Sequence, residues 1–137
     1  MIKVLTVDDS RTMRDMLRLA LAGGDFAVTQ AVDGEHGLEV LSESGADVII
    51  TDINMPKLDG FGFIERVRED ADYRATPILV LTTESDPEKR ARAREAGATG
   101  WIVKPFNPEK LLDVIRKVAA LPHGRARGNQ AHVLPGM

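Results

Sequence analysis

Asp8-Asp9, Asp52, Asn54, Thr82 and the Lys104-Pro105 pair are the residues whose types and spacing suit chemistry. They follow apolar runs at 4–7, 48–51, 78–81 and 101–103 that read as buried strands. Strands lying parallel in one sheet bring all these positions to one edge, their carboxyl ends. Open α/β sheets bind their ligands at that edge. Three carboxylates, a hydroxyl and a lysine gathered there suit a divalent cation and a phosphoryl group.

Taken singly, none of these residues is decisive. Adjacent acids at a strand end repel each other unless a cation is present. Hard oxygens suit Mg²⁺, which keeps some waters and takes few protein carboxylates. One acid of the pair could equally cap a helix starting near Ser10. Asp52 ends the most apolar run, and a carboxylate held there can attack phosphorus to form an acyl phosphate. Alternatively it caps its own loop, where Asn54, Pro56, Asp59 and Gly60 are turn residues. Metal and lysine would offset the charge on a transferring group. Thr82 could bond a phosphoryl oxygen, although threonine is common in strands for other reasons. Lys104 can point a compact charge along the sheet edge. Its proline keeps it out of helical geometry, and X-Pro is the common setting for a cis bond. The shared position at strand ends carries the reading.

The 137 residues are a single-domain length, 43% hydrophobic and 28% charged, with a net charge of -3. Overall charge favours neither a nucleic acid nor a membrane. Residues 1–56 hold four Lys/Arg against ten Asp/Glu, and residues 57–137 hold fourteen against eleven. That asymmetry fits an acidic metal site and a separate, more basic partner surface. The lack of cysteine excludes disulfides and thiolate chemistry. The chain start turns acidic too soon for a signal peptide. No apolar run nears the ~20 residues that span a bilayer. A soluble, cytoplasmic monomer is expected, with no membrane or nucleic-acid partner.

The apolar runs are short, rich in Val and Ile, and mostly continuous, as in a parallel sheet covered on both faces. The run at 27–32 is interrupted by Thr29 and Gln30 and is expected at an edge. Helical spacing starts at Ser10, with Met13, Met16, Leu17, Ala20 and Leu21 inward and Gly23-Gly24 closing it. Further helices are expected at 34–42, with Leu38 and Leu41 inward, and at 60–70, with Phe61, Ile64 and Val67 inward. Asp86-Pro87 and Asn107-Pro108 each pair a capping residue with proline at the first helical position. These two helices end near Gly97 and at Leu121, before Pro122. Five strands alternating with five helices imply right-handed crossovers and a doubly wound sheet. Residues 122–137 lack periodicity and are expected to form a flexible tail behind a domain at 1–121.

Four segments carry a resemblance: Val-Asp-Asp-Ser-Arg-Thr-Met-Arg (7–14), Thr-Asp-Ile-Asn-Met-Pro-Lys-Leu-Asp-Gly (51–60), Leu-Thr-Thr-Glu (81–84) and Gly-Ala-Thr-Gly-Trp-Ile-Val-Lys-Pro-Phe (97–106). Together they resemble the receiver domain of two-component response regulators, in particular stand-alone chemotaxis regulators of the CheY type. The resemblance covers residues 1 to about 121. It implies a flavodoxin-like five-stranded sheet of order 2-1-3-4-5, an order that comes with the family and not from periodicity. It implies that Asp52 is the phosphoacceptor for a partner histidine kinase. Asp9, Asp52 and the Asn54 carbonyl would bind Mg²⁺, with Asp8 helping through water. Lys104 would contact the phosphoryl group, Thr82 would move to bond it, and the aromatic at 101 would swing inward. Asn54 and Glu84 stand at positions that tune phosphoryl loss. The output would be docking, with the flagellar motor switch the leading target and room for a phosphatase partner. Such a chain is a signalling protein rather than an enzyme. The family usually carries Tyr, Phe or His at the place of Trp101, and an indole is larger and needs an N–H partner when buried.

Other signals are weaker. Gly60-Phe-Gly62 begins like a dinucleotide fingerprint but lacks its third glycine and follows a long loop. Lys89, Arg90, Arg92 and Arg94 read as a solvated helix face or as a docking patch for an acidic partner. The resemblance favours the patch. No DNA-recognition motif is present. His36, His123 and His132 lack metal-ligand spacing. A phosphate sink is an alternative function. A haloacid-dehalogenase-type phosphatase is disfavoured, because Asn54 stands where that mechanism needs a proton-carrying Asp.

Overall fold

Apolar runs and helical segments alternate strictly along the chain, and the elements follow them. The computed structural model describes residues 1–121; the expected tail at 122–137 lies outside the described residues. In order they are β1 (Ile2–Val7), α1 (Arg11–Ala22), β2 (Phe26–Ala31), α2 (Gly34–Ser44) and β3 (Val48–Thr51). There follow α3 (Gly60–Glu69), β4 (Ile78–Thr82), α4 (Pro87–Ala96), β5 (Gly100–Val103) and α5 (Pro108–Ala119). The strands pair in parallel in the order β2-β1-β3-β4-β5. This is the flavodoxin-like doubly wound order, with β2 at an edge as expected.

Alternation along each strand sends side chains into two cores. Leu5, Ile49, Ile78, Val80 and Trp101 pack with α2, α3 and α4 residues such as Leu41, Phe63, Ile64 and Ala93. Val4, Val48, Ile50, Leu79 and Leu81 pack with Leu17 and Leu21 of α1 and with Leu111, Ile115 and Val118 of α5. Burying one such aliphatic side chain contributes about 1.5–3 kcal/mol, so these layers dominate stability.

Among the described residues, each of the five helices starts on a side-chain cap. Ser10, Asp33, Asp59, Asp86 and Asn107 accept from the Met13, His36, Gly62, Glu88 and Lys110 N–H groups. Each cap is worth about 1 kcal/mol and fixes where a strand-to-helix loop must end. Gly60 opens α3 against the site strand: a Cβ there would lie 2.3 Å from the Asp52 carbonyl oxygen. Only glycine permits that approach.

Three expectations shift. Val32 lies outside β2 and is 42% exposed, because its N–H donates to His36 Nδ1 rather than to a neighbouring strand. Met16, expected inward, is 45% exposed; α1 turns Leu17 and Leu21 to the sheet instead. α3 buries Phe63 in addition to Phe61, Ile64 and Val67, since it is flanked by both α2 and α4. Among the described residues, no helix is long and apolar enough to cross a membrane.

Candidate functional site

Asp8, Asp52 and Lys104 each follow their strand by one backbone step that remains hydrogen-bonded, and Thr82 is the last residue of β4. The Asp8 N–H donates to the Ala31 carbonyl at 3.1 Å and the Asp52 N–H to the Val7 carbonyl at 3.0 Å. The Lys104 N–H donates to the Thr82 carbonyl at 2.8 Å, just past the end of β5. The sheet thus fixes these backbones while the side chains emerge at its carboxyl edge. Asp8 and Asp52 flank the β1/β3 boundary, where the strand order reverses and a crevice opens.

The three acids converge there. Carboxylate oxygens of Asp8, Asp9 and Asp52 lie within 4.8 Å of one another. Lys104 Nζ donates to Asp8 Oδ2 at 3.1 Å and to Asp52 Oδ2 at 3.0 Å. Asp8 is 2% exposed, and its Oδ1 also accepts from the Ser10 N–H at 2.9 Å. Asp9 is exposed. Burial pushes the Asp8 carboxyl above its ordinary pKa, against the opposing pull of the Ser10 N–H and Lys104. Burial works to lower the Lys104 ammonium, but its bonds to Asp52 and Asp8 outweigh it and raise its pKa. The shared cation offsets part of the repulsion between the two acids, which still contributes to the raised Asp8 value.

Asn54 is exposed in the loop after Asp52. Thr82 is fully buried, and its Oγ1 accepts from the Glu84 N–H at 3.2 Å. Strand alternation puts it on the face of Ile78 and Val80, where Trp101 packs. Trp101 is only 8% exposed, so the indole sits inward in this structure. The Lys104–Pro105 bond is cis.

The basic run on α4 is not a uniform face. Lys89 Nζ pairs with Glu84 Oε2 at 3.0 Å. The Arg92 guanidinium stacks over the Phe61 ring, 4.1 Å from its centroid. Arg90 is half-buried, and Arg92 and Arg94 are exposed.

The structure adds residues that the sequence reading missed. Arg14 Nη1 donates to the Asp8 carbonyl at 2.8 Å, anchoring the acidic loop from α1. Gln30 Nε2 donates to Thr6 Oγ1 and to the Arg14 carbonyl at 3.0 and 2.8 Å, so its polarity ties β2 to β1 and α1. Arg68 donates to the Gly97 carbonyl through Nε (3.0 Å) and Nη2 (2.8 Å), and to the Tyr73 carbonyl through Nη1 (2.9 Å). Gly97 takes a φ of 121°, and a Cβ there would meet the Arg68 side chain at 2.7 Å. The interruption of the apolar run at Gln30 was the one visible signal.

The donor set is all hard oxygen, with neither nitrogen nor sulfur, and fits a divalent cation of the Mg²⁺ kind. A family model for the response regulator receiver domain matches residues 4–116. The solved structure of Vibrio cholerae chemotaxis protein CheY4 superposes with a TM-score of 0.82 at 47% identity, covering 86% of this chain and 98% of that one. The probable chemotaxis protein CheY of Rhizobium etli is 39% identical over 118 residues, 85% of this chain and 92% of the relative. The probable transcriptional regulator ycf27 of Guillardia theta is 41% identical over 116 residues. That match takes in 85% of this chain, which spans only 44% of the relative's length. With its matching motif residues, strand order and acidic edge, the chain belongs to the response regulator receiver family.

Proposed function

We propose that this receiver accepts a phosphoryl group on Asp52 from a phosphohistidine of a partner kinase and signals by docking. The observation that carries the reading is the Lys104 ammonium shared by Asp52 and Asp8 beside the exposed Asp9. An Asp52 oxygen attacks phosphorus, the phosphorus–nitrogen bond of the donor breaks, and its imidazole leaves with the bonding pair. Lys104 is placed to follow the charge from the carboxylate onto the phosphoryl oxygens. Thr82 Oγ1 accepts from Glu84, which leaves its own proton to donate to a phosphoryl oxygen. Mg²⁺ held by Asp9, Asp52 and the Asn54 carbonyl, with Asp8 assisting, would supply charge neutralisation. The new charge and the lost Lys104–Asp52 pair bias the β4–α4–β5 region toward a second arrangement. We read the chain as a signalling protein rather than an enzyme.

The match to chemotaxis proteins over most of their length supports a stand-alone regulator acting on the flagellar motor switch. The match to part of a probable transcriptional regulator supports a second output, with the same receiver controlling some other partner. Intact-mass time courses with acetyl phosphate, with and without Mg²⁺, test the common step. One phosphoryl adduct that requires Mg²⁺ and is absent in Asp52→Asn is expected. A normal adduct in that variant would overturn the assignment. Capture of a motor switch protein by the phosphorylated form alone separates the two outputs.

A further inference from the structure

Both carboxylate oxygens of Glu84 are occupied. Oε1 accepts from the Asp86 N–H at 3.2 Å, and Oε2 accepts from Lys89 Nζ at 3.0 Å. The Glu84 N–H donates to Thr82 Oγ1. Asp86 caps α4 by accepting from the Glu88 N–H at 2.9 Å. Consecutive hydrogen bonds therefore run from the Thr82 hydroxyl to the first turn of α4, and Lys89 holds their middle member.

We propose that Lys89 is a positioning residue for phosphoryl transfer, holding and neutralising Glu84 so that an anionic donor can approach Asp52. The inference rests on Asp52 as the phosphoacceptor. Phosphodonors are anions, and Glu84 follows the Thr82 hydroxyl by only two residues. Paired with Lys89, the carboxylate presents little net charge to an incoming donor. Released, it repels the donor and is free to leave the geometry that fixes its N–H under Thr82. The Lys89 and Glu84 side chains are 44% and 23% exposed, so the effect is modest and sensitive to salt.

The test follows adduct formation from acetyl phosphate and Mg²⁺ in the unaltered chain, Lys89→Ala, Lys89→Arg, Glu84→Gln and the Lys89→Ala/Glu84→Gln double variant. Lys89→Ala is expected to react roughly two- to five-fold more slowly at low ionic strength, the range of a partly exposed ion pair. Lys89→Arg restores the rate, and added salt shrinks the deficit. In the Glu84→Gln background the Lys89→Ala change has little further effect. Equal slowing in both backgrounds would make Lys89 an independent surface charge and overturn the proposal. So would a lowered melting temperature with an unchanged rate. No adduct in the unaltered chain would instead overturn the phosphoacceptor reading, and this inference with it.

Discussion

Lys104 is ion-paired with Asp52, Nζ to Oδ2 at 3.0 Å, and the two side chains are only 10% and 13% exposed. The same ammonium serves Asp8. Replacing it leaves two nearly buried acids without their cation. Breaking a buried pair costs about 3–5 kcal/mol, and the residual exposure here brings the expected loss for Lys104→Met to roughly 2–3 kcal/mol. Mg²⁺ should restore part of that loss. Urea unfolding in chelator and in Mg²⁺ checks both statements; equal stability to the unaltered chain in chelator would show that the pair stabilises nothing.

Asp8 gives a pH dependence of definite sign. Its pKa is raised in the folded state, chiefly by burial. A raised carboxyl binds its proton more tightly when folded. It therefore favours folding below the unfolded value, and that contribution is lost as pH rises through the folded value. At neutral pH the charged, buried Asp8 is a standing cost. Asp8→Asn is expected to be more stable than the unaltered chain in metal-free buffer at pH 7, with the gap closing toward pH 3. Denaturation midpoints across that range decide it, and a gap that widens on acidification reverses the sign.

Arg68 holds α3 to the loop that ends α4. Burial pushes its guanidinium down to about 10. Arg68→Met removes three donors from two carbonyls, with an expected loss of about 2–3 kcal/mol. Arg68→Lys recovers little, because a single ammonium does not reproduce the planar fork. Acetyl phosphate should still phosphorylate both variants. Chemical denaturation of the two, side by side, is the measurement.

Trp101 is the sole tryptophan and is largely buried. Its emission is expected at short wavelength, with weak quenching by acrylamide and a red shift on unfolding. Since the indole already lies inward, phosphorylation should change its emission little. A large shift on adduct formation would mean that position 101 moves between two environments.

Much of this architecture was legible in the residues. Continuous Val/Ile runs marked strands buried on both faces, and Asp86-Pro87 and Asn107-Pro108 marked helix starts that the caps match. Alternation of elements then forced Asp8, Asp52, Thr82 and Lys104 to one edge. Arg14 and Arg68 were not legible because they bind main-chain carbonyls, which every residue carries and no pattern of side chains reveals. The unequal burial of Asp8 and Asp9 was hidden for a related reason. Two identical neighbours differ only in the direction the backbone gives them. The Lys89–Glu84 pair spans the cap of α4, at a separation outside the three- and four-residue spacings of a helix face.

The strand register has a consequence for how this chain tolerates changes in length. Thr51 lies opposite Val80, and Thr82 lies opposite Val103, so Lys104 meets Asp52 across two ladders counted residue by residue. Deleting one residue within β3, β4 or β5 would invert which side chains face each core and carry a catalytic group to the wrong side of the sheet. Insertions at the opposite edge, in turns such as the one after Gly23, leave that count untouched. Variation in chain length should therefore accumulate at the amino ends of the strands, while the spacing that places Lys104 beside Asp52 admits none.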